Sequence, residues 1–557
     1  MSFPELFQFF LFETTRYLAP PAVAAEWILA ALVALLVAWR WPGVSVLRRA
    51  YLSIARRTRL AMLLSALLPV ALRLSLLSVV PVPEPSIHDE FSHLLLGDTL
   101  AHGRLANPPH PMWRYFESIH VIQQPTYASM YPPAQGAFLA LGESVFHEPW
   151  AGVVISVGLM CAALCWMFQG WLPPAWAFFG VILVILKFCV VGIWMNSYLG
   201  GSPSALGAAL VIGALPRAKR TLPAVLFGVG LVLLMNSRPF EGAMLGLIAL
   251  IYLFKKGSLR PIILPAGAVL LCGVAFTGYY NFRVTGNPLR MPYLVNRNTY
   301  GWPENLGFLQ PKELAPLRHP VMEAMRQKEL HNRDIYSSPT AFIESLDTKL
   351  FDSWTFFLGP LLSIPLLLFP RVFRDRRTRP LAIFLAALIA LNLLQMVLYP
   401  YHLGPAVPLM FAIVAQAARH LYIALKRNNK KRALAFATLL PVSLVLIGAM
   451  KQSAQELRLP LAYWEAGSEP HRDARADIVE WLGKRKGGQL VIVRYGPFHN
   501  PNQEWVYNAA DIDRSKIIWA RERSDNTPLL RYYPQRSKWL LEADVYPQRV
   551  VPYPGKL

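Results

Sequence analysis

Long apolar runs alternate with short polar segments over the first 450 residues of the chain. About twelve of these runs approach the ~20 apolar residues that a helix needs to cross a bilayer. The pattern therefore predicts a polytopic α-helical membrane protein with about 12 spans. The predicted spans are residues 22–41, 60–81, 150–170, 174–195, 203–216, 221–236, 239–255, 261–282, 354–370, 380–399, 405–424 and 433–450.

Basic clusters between the spans indicate their orientation. Five arginines from Arg48 to Arg59 follow the first span, and similar clusters recur later. Because Lys and Arg concentrate in cytoplasmic loops, we expect loop 82–133, loop 283–352 and both termini to lie outside the cytoplasm. The apolar run 134–147 cannot cross if every other assignment holds, and its 14 residues are few for a span. We therefore predict that it is re-entrant or lies on the membrane surface.

The composition changes after residue 451, and the rest of the chain is polar without a predicted span. Alternating helix and strand patterns there indicate a small parallel α/β domain. We therefore expect a membrane domain over 1–451 and an extracytoplasmic domain over 452–557. The second domain lacks a Gly-rich phosphate fingerprint and is more typical of a lid or docking domain than of a second active site. Its predicted elements are helix Asp473–Lys484, strands Gln489–Tyr495, Lys516–Ala520 and Lys538–Glu542, and helical stretches near 503–510 and 527–533.

Composition and charge agree with a membrane protein. The chain is 54% hydrophobic and 16% charged, with a mean hydropathy of +0.34, unlike an ordinary soluble domain. Its net charge of +22 lies largely between apolar runs, so we assign it to membrane topology rather than to nucleic-acid binding. The four cysteines lie inside apolar runs and predict packing. The first apolar run is too long for a signal-peptide core, and no cleaved signal is expected.

Two adjacent carboxylates, Asp89 and Glu90, follow the second predicted span. A carboxylate at this place can act as a general base or bind a divalent cation through oxygen. The structural alternative is a helix cap, since Ser86 or Asp89 can cap a helix over Glu90–Leu100. The histidines of this loop, His88 among them, do not have the spacing of metal ligands on one helix face, and we predict no metal site.

Two arginines of the external segments are candidate ligand contacts. Arg114 lies in an aromatic stretch that suits a sugar ring, a prenyl chain or a phosphate, and equally simple anchoring at the membrane surface. Arg238, in the sequence NSRPFE, can bind a lipid phosphate with both arms of its guanidinium group. It can instead pair with Glu241 or Asp89.

Three further cations have two interpretations each. Arg283 and Arg290 lie near the start of loop 283–352, where they can meet phosphate or pair with acids of the loop. Lys187 lies in the middle of an apolar run, where a cation indicates either a function or an internal pair.

The first external loop resembles that of the GT-C glycosyltransferases, in particular bacterial proteins similar to dolichyl-phosphate-mannose protein mannosyltransferases and aminoarabinose transferases. The resemblance rests on the Asp-Glu pair, the helix end LAHGRL and a Tyr131-Pro-Pro that leads back into the membrane. It is firmest over residues 60–290. It implies transfer of a sugar from a polyprenyl-phosphate donor to an extracytoplasmic acceptor. In that family an acidic residue of this loop is the general base, a role that falls on Asp89, with Glu90 as neighbour or metal ligand and Arg238 as phosphate contact.

These expectations define a site and its partners. No cofactor is expected, because the sequence lacks a clear second acidic motif, although some relatives in the family need a divalent metal. The expected partners are a polyprenyl-phosphate sugar donor, a glycan, lipid or protein acceptor, and membrane lipids, with no nucleic acid. The expected location is the bacterial inner membrane, with the active site outside the cytoplasm. The residues assigned to substrate binding are His88, Arg114, Tyr131, Arg238, Glu241, Arg283 and Arg290.

Two other classes of protein remain open on the sequence. A transporter or lipid flippase would suit the many spans, but such proteins usually show internal repeats with matching broken helices, and the sequence shows no such repeat. A non-catalytic subunit of a cell-envelope machine is the third possibility. A cavity that holds Asp89 and Arg238 together would favour the enzyme, whereas a central pore lined by Lys187 would favour transport.

Overall fold

A computed structural model describes most of the chain. The described residues are 20–39, 46–301, 314–334, 339–395, 398–456, 470–497, 499–500 and 502–554. The two termini, parts of loop 283–352 and the link into the C-terminal domain lie outside the described residues. The described chain is mainly helical and ends in a small four-stranded sheet.

Nineteen helices make up the described part of the membrane domain. Their bounds are α1 Pro20–Ala38, α2 Val46–Arg56, α3 Thr58–Ser75, α4 His88–Ala101, α5 Pro133–Phe146, α6 Pro149–Trp171, α7 Pro174–Phe188, α8 Gly201–Ala214, α9 Thr221–Met235, α10 Pro239–Lys255, α11 Arg260–Thr285, α12 Pro292–Tyr300, α13 Pro320–Asp334, α14 Pro339–Phe357, α15 Gly359–Leu366, α16 Phe369–Arg374, α17 Arg379–Asn392, α18 Val407–Asn428 and α19 Lys430–Glu456. Short 3-10 helices cover Trp113–Tyr115, Leu215–Arg217 and Pro400–Ala406.

Five of the described helices are long and apolar enough to cross a membrane, and four shorter ones are also apolar. The prediction of a helical integral membrane protein is therefore confirmed, while the count of about 12 spans stays a prediction. The long segments are Thr58–Ser75, Pro149–Trp171, Arg260–Thr285, Pro400–Asn428 and Lys430–Ser453, and the shorter ones Ala25–Ala38, Pro174–Phe188, Thr221–Met235 and Arg379–Asn392.

Small residues allow the inner helices to approach closely. Every residue of α8 is buried, and Gly207 on it faces Gly230 on α9. A Cβ atom on Gly230 would lie 2.6 Å from the carbonyl oxygen of Gly207, so only glycine permits this backbone contact. In contrast, only 17% of the apolar window of α11 is buried, so most of that helix lies on the surface of the bundle. The bundle thus has a tightly packed centre and an apolar outer surface.

Lys187 is paired inside the bundle. Its ammonium group lies 3.7 Å from Oε1 of Glu26, and Lys451 approaches the same oxygen at 3.9 Å. The three groups join α7, α1 and α19. Of the two interpretations of Lys187, the structure bears out the internal ion pair, the usual arrangement for a charge at this depth.

Helix α4, in loop 82–133, begins without a side-chain cap. The helix starts at His88, two residues before the predicted start, and its N-cap is Ile87. Neither Ser86 nor Asp89 caps it, so that structural interpretation is wrong. Instead Glu90 reaches back and accepts a hydrogen bond from the backbone N–H of Ser86 at 3.0 Å, because a carboxylate in the first turn can satisfy a free amide.

The loop then forms a short antiparallel hairpin of strands β1 Val121–Ile122 and β2 Ala128–Ser129. Helix α5 follows with 14 residues, few for a span, and covers nearly all of the predicted apolar run 134–147. Gly136 packs so closely on Leu96 of α4 that a Cβ would overlap its side chain. This contact fixes α5 beneath the helix that carries Asp89.

The C-terminal domain is a partly parallel sheet with two helices. Its elements are helix α20 Pro470–Gly483, strands β3 Gln489–Arg494, β4 Ile517–Arg521, β5 Ser537–Glu542 and β6 Arg549–Pro552, and helix α21 Thr527–Tyr532. The strand order is β4-β3-β5-β6, with the first three strands parallel and β6 antiparallel on the edge. The small α/β domain is confirmed.

One predicted element of this domain is wrong. Residues 504–509 are not helical and have no regular secondary structure. The side chain of Asn508 bonds both the N–H and the carbonyl of Trp519, and so behaves as a partner of the neighbouring strand. An amide side chain that competes for backbone groups disfavours a helix. The edge strand β6 was not predicted.

The sheet domain packs directly on the first external loop. One hydrophobic cluster contains Leu95, Tyr115 and Tyr127 of the loop together with Leu490 and Ile518 of the sheet. The hydroxyl of Tyr115 donates a hydrogen bond to the carbonyl of Asp525 at 2.8 Å, and that of Tyr127 to the carbonyl of Asn508 at 2.8 Å. The domain therefore belongs to the wall that supports α4.

Candidate active site

Asp89 occupies the first turn of α4, and three side chains surround its carboxylate. Oδ1 accepts a hydrogen bond from the hydroxyl of Tyr131 and lies 3.5 Å from Nδ1 of His120. Oδ2 lies 3.4 Å from Nε2 of His88. The Asp89 side chain remains 19% exposed while His88 is 3% exposed. The carboxylate is thus held in place but can still be reached from solvent.

An unusual backbone conformation aims His120 at the carboxylate. His120 has a φ of 66°, a left-handed conformation that is uncommon outside glycine and is often found at functional sites. Its carbonyl accepts hydrogen bonds from the hydroxyl of Ser92 at 2.7 Å and the N–H of Met130 at 3.1 Å. These bonds from α4 and the hairpin hold the strained residue.

The surroundings of Asp89 keep it ionised. Burial by itself would raise the pKa of the Asp89 carboxyl, but His120, His88 and the hydrogen bond from Tyr131 together hold that pKa below its ordinary value. Burial lowers the pKa of His120 well below 6.5. At neutral pH the arrangement is therefore an ionised carboxylate beside the neutral imidazole of His120, and an ionised carboxylate is the form that can accept a proton.

Glu90 has a different environment from Asp89. Its Oε2 accepts from the backbone of Ser86, and its Oε1 accepts from the N–H of Tyr198 at 3.2 Å. The side chain is 1% exposed. These contacts tie the start of α4 to the segment between α7 and α8, so Glu90 is a structural neighbour of Asp89 in this arrangement.

Arg238 lies immediately before α10, half-buried, on the same side of the molecule. It is close enough to His93 and Tyr131 to influence both electrostatically. No described residue forms a hydrogen bond or ion pair with its guanidinium group. The alternative pair with Glu241 is not formed, because Glu241 is buried and its Oε1 accepts from Gln395 at 3.3 Å. A half-buried guanidinium without an anionic partner is suited to an external anion.

Comparisons with known proteins give a match of structure only. No protein-family profile and no curated protein sequence matches the chain. The structure of ArnT from Cupriavidus metallidurans bound to undecaprenyl phosphate is similar, with a TM-score of 0.50 and 12% identity over 85% of this chain and 92% of ArnT. ArnT is a GT-C membrane glycosyltransferase. The chain shares the fold of ArnT.

Two other solved structures match less well. ArnT from Cupriavidus metallidurans in the apo state gives a TM-score of 0.46 and 13% identity, over 84% of this chain and 88% of that chain. The oligosaccharyltransferase of Archaeoglobus fulgidus in complex with Zn and sulfate gives a TM-score of 0.47 and 12% identity, over 78% of this chain and 60% of that chain.

Three of the predicted substrate contacts make no contact with Asp89 within the described part of the chain. Arg114 is exposed and stacks over Trp113 with 5.6 Å between the guanidinium carbon and the ring centre. Arg283 is exposed and donates to the hydroxyl of Tyr279 at 3.2 Å. Arg290 is also exposed. None of the contacts among the described residues joins these arginines to the carboxylate.

The candidate active site has a buried arginine nearby that was not predicted from the sequence. Arg297 forms two hydrogen bonds of 2.9 Å each with the carboxylate of Glu329, and it influences Tyr131 and His120 electrostatically. Arg297 stands four residues after Tyr293, so the two share a face of α12. That spacing is the signal for Arg297 in the sequence, whereas Arg238, Arg283 and Arg290 stand out because they lie close to predicted spans.

The side chains around Asp89 also fit a metal ion. His88, Asp89 and His120 each offer one ligand atom, and these atoms lie within 4.8 Å of one another. Two imidazoles and a carboxylate with an open position are a donor set typical of catalytic zinc. However, Nδ1 of His88 is buried without a hydrogen-bond partner in the described structure, whereas metal-bound histidines usually donate from their second nitrogen. A bound ion would polarise a substrate oxygen here.

Acidification is expected to destabilise the protein through the buried histidines. Burial lowers the pKa of His93 to about 4 from 6.5. At a given pH in this range, the unfolded chain binds a proton at His93 more readily than the folded chain does. The free energy of unfolding therefore falls as the pH drops from about 6.5 towards 4, and the loss from His93 is about 2 kcal/mol at pH 5. We expect the melting temperature of the purified protein to drop by several degrees from pH 7.5 to pH 5.0.

Substitution of His93 tests the origin of this drop. The melting temperature of His93→Gln should fall less between pH 7.5 and pH 5.0 than that of the wild type. His102→Gln is the matched control, since His102 ends the same helix with a side chain 62% exposed. An equal pH dependence in wild type and His93→Gln would contradict the assignment.

Proposed function

We propose that the chain is a glycosyltransferase that moves a sugar from a polyprenyl-phosphate donor to an acceptor outside the cytoplasm. The observation that carries the proposal is the ionised, reachable carboxylate of Asp89 on the same side as the half-buried guanidinium of Arg238. The GT-C fold, shared with ArnT bound to undecaprenyl phosphate, supports a lipid phosphate as the ligand of Arg238.

The proposed reaction is a single displacement at the anomeric carbon of the donor. Asp89 accepts the proton of an acceptor hydroxyl, whose oxygen forms the new glycosidic bond. The bond from the anomeric carbon to the phosphate oxygen breaks, and the polyprenyl phosphate leaves with the electron pair. Arg238 stabilises the negative charge on the departing phosphate. One displacement inverts the anomeric configuration.

The proposal places this chemistry at the external surface of a bacterial inner membrane. A prenyl chain keeps the donor at the membrane surface, so no nucleotide-binding domain is needed. The acceptor is a glycan, a lipid or a protein. The proposal requires no cofactor, and if a divalent metal takes part, His88, Asp89 and His120 would hold it.

A transfer assay with purified, lipid-reconstituted protein tests the proposal. The donors are a panel of labelled undecaprenyl-phosphate sugars, each offered with a crude envelope fraction as acceptor, with and without a chelator. We expect transfer from at least one lipid-linked donor and none from the corresponding sugar nucleotides. Arg238→Ala should lower the transfer rate by about 100-fold, because a charged contact to the leaving phosphate is lost.

The control arginine is Arg283, which is exposed and bonds only to Tyr279 among the described residues. Arg283→Ala should retain transfer within a few-fold of the wild type. If no donor supports transfer while the reconstituted protein moves lipid-linked sugars between leaflets, the flippase alternative replaces the enzyme. If neither activity is found, the assembly subunit remains.

A further inference from the structure

Three aromatic side chains form a corner between α17 and α18. The rings of Tyr399 and Tyr401 are parallel within 4°, with centres 5.5 Å apart. The ring of His402 stands at 88° to that of Tyr401, with centres 4.8 Å apart. Tyr399 is 39% exposed. Together Tyr399, Tyr401 and His402, called the aromatic corner below, present flat ring faces beside the edge of an imidazole.

The aromatic corner borders the space between Asp89 and Arg238. Tyr399 is close enough to Asp89 to interact with it electrostatically. His402 interacts in the same way with both Arg238 and Asp89. Tyr401 interacts with Tyr131, which donates its hydroxyl hydrogen to Asp89, and also packs against the hydrophobic core of the bundle. All three members of the corner therefore lie near the candidate active site.

The backbone holds the corner in a fixed shape. Residues Pro400–Ala406 form a 3-10 helix that contains a second proline, Pro405. The N–H of His402 donates to the carbonyl of Tyr399 at 2.9 Å. Gly404 packs against α8 so tightly that a Cβ would lie 3.0 Å from the carbonyl oxygen of Gly201. A surface fixed in this way loses little freedom when it binds a ligand.

The imidazole of His402 has unused hydrogen-bonding capacity. Neither ring nitrogen has a hydrogen-bond partner among the residues that the structure describes, whereas its ring packs on both tyrosines. A neutral imidazole offers one donor and one acceptor. The corner thus combines apolar ring faces with a polar edge. A sugar ring also has two kinds of surface, an apolar C–H face and polar hydroxyl groups, so the corner can contact both.

We propose that the aromatic corner binds the sugar ring of the lipid-linked donor. This inference rests on the proposed function. In the proposed displacement the sugar lies between the leaving phosphate, held by Arg238, and the attacking hydroxyl, deprotonated by Asp89. The corner borders that same space, so the C–H face of the sugar packs on Tyr401 and a hydroxyl group of the sugar bonds to His402.

Binding measurements with two lipids test this inference apart from catalysis. The probes are undecaprenyl phosphate alone and the undecaprenyl-phosphate sugar that the wild-type protein binds most tightly, both titrated into purified full-length protein in lipid nanodiscs. Tyr401→Ala should weaken binding of the sugar-bearing lipid by about 5- to 10-fold. The same variant should change binding of the sugar-free lipid by less than 2-fold. Arg238→Ala should weaken both.

Two further variants control for folding and for general loss of an aromatic surface. Tyr401→Phe keeps the ring and should bind the sugar-bearing lipid as the wild type does. Tyr546→Ala removes a tyrosine that is 76% exposed in the C-terminal domain and should change neither affinity. A melting temperature within a few degrees of the wild type establishes that each variant is folded.

Several outcomes would overturn the inference. Equal weakening of both lipids by Tyr401→Ala would mean that the corner contacts the prenyl chain or phosphate instead. No effect on either lipid would remove the corner from the binding site. The inference would also be contradicted if the wild-type protein bound no sugar-bearing lipid more tightly than undecaprenyl phosphate. Selective weakening without any transfer activity would support the corner while the glycosyltransferase proposal fails, so the two are distinguishable.

Discussion

Replacing Asp89 with asparagine is expected to lower the rate of sugar transfer by about 1000-fold, within the range that a general base contributes. Asparagine keeps the size of the side chain and an oxygen that accepts from Tyr131, but it cannot take a proton. The measurement is the transfer rate of reconstituted Asp89→Asn with the best donor of the wild type. Transfer at the rate of the wild type would move the base to another residue.

Asp98→Asn is the matched control for this variant. Asp98 lies on the same helix with a similar side-chain exposure of 22%, and its Oδ2 accepts from the N–H of Ala510 at 2.6 Å. Because this carboxylate serves docking of the sheet domain, Asp98→Asn should retain transfer within a few-fold. A loss as large as that of Asp89→Asn would indicate a general effect of altering α4.

The pH profile and the product provide independent tests of the same role. The surrounding histidines and Tyr131 hold the pKa of Asp89 below its ordinary value, so ionisation of the base should not limit transfer between pH 5.5 and 8. A steep rise in rate with an apparent pKa near 7 would point to a histidine as the base. Retention of the anomeric configuration in the product would contradict a single displacement.

The second large effect is expected at the buried ion pair of Arg521 and Glu504. Nη2 of Arg521 lies 2.6 Å from Oε2 of Glu504, and the two side chains are 3% and 2% exposed. Arg521→Met should destabilise the protein by about 3–5 kcal/mol, because Glu504 is left as a buried charge without its cation. The measurement is the melting temperature of the purified variant.

The Arg521→Met substitution should also disturb the active site. The N–H of Glu504 donates to the carbonyl of Ser86 at 3.3 Å, and its carboxylate influences His88 electrostatically. Arg521 also donates to the carbonyl of Glu117 through Nε. The ion pair thus connects the sheet domain to the start and the middle of the loop that carries Asp89. We expect Arg521→Met to lower transfer below 10% of the wild type at a temperature where it remains folded.

An exposed pair in the same sheet is the control. Arg494 bonds Glu522 with both arms at 2.6 and 2.7 Å, but its side chain is 46% exposed. Because exposed pairs contribute at most about 1 kcal/mol, Arg494→Met should change melting temperature and transfer little. Equal effects of the two substitutions would mean that the buried pair has no special role in docking.

The sequence by itself determined the class of the protein and its general plan. Apolar runs and basic clusters predict a helical membrane protein, since the bilayer imposes length and composition on each span. Alternating patterns in the polar C-terminal segment predicted the small sheet region, although one predicted helix is instead an irregular segment in which Asn508 bonds to the backbone of Trp519. The carboxylates after the second span pointed to the first external loop because a charge at a membrane boundary is costly without a role.

Only the tertiary structure decided which residues share a site. Asp89 and Glu90 are adjacent in sequence, yet one faces His120 and Tyr131 while the other bonds to backbone amides, since consecutive residues of a helix point in different directions. Arg297 and His402 come to the site from distant segments whose side chains show no distinguishing pattern. The ion pair of Lys187 depends in the same way on packing between helices far apart in the chain. Spacing along a sequence reveals local faces, whereas contacts between separate elements follow from packing.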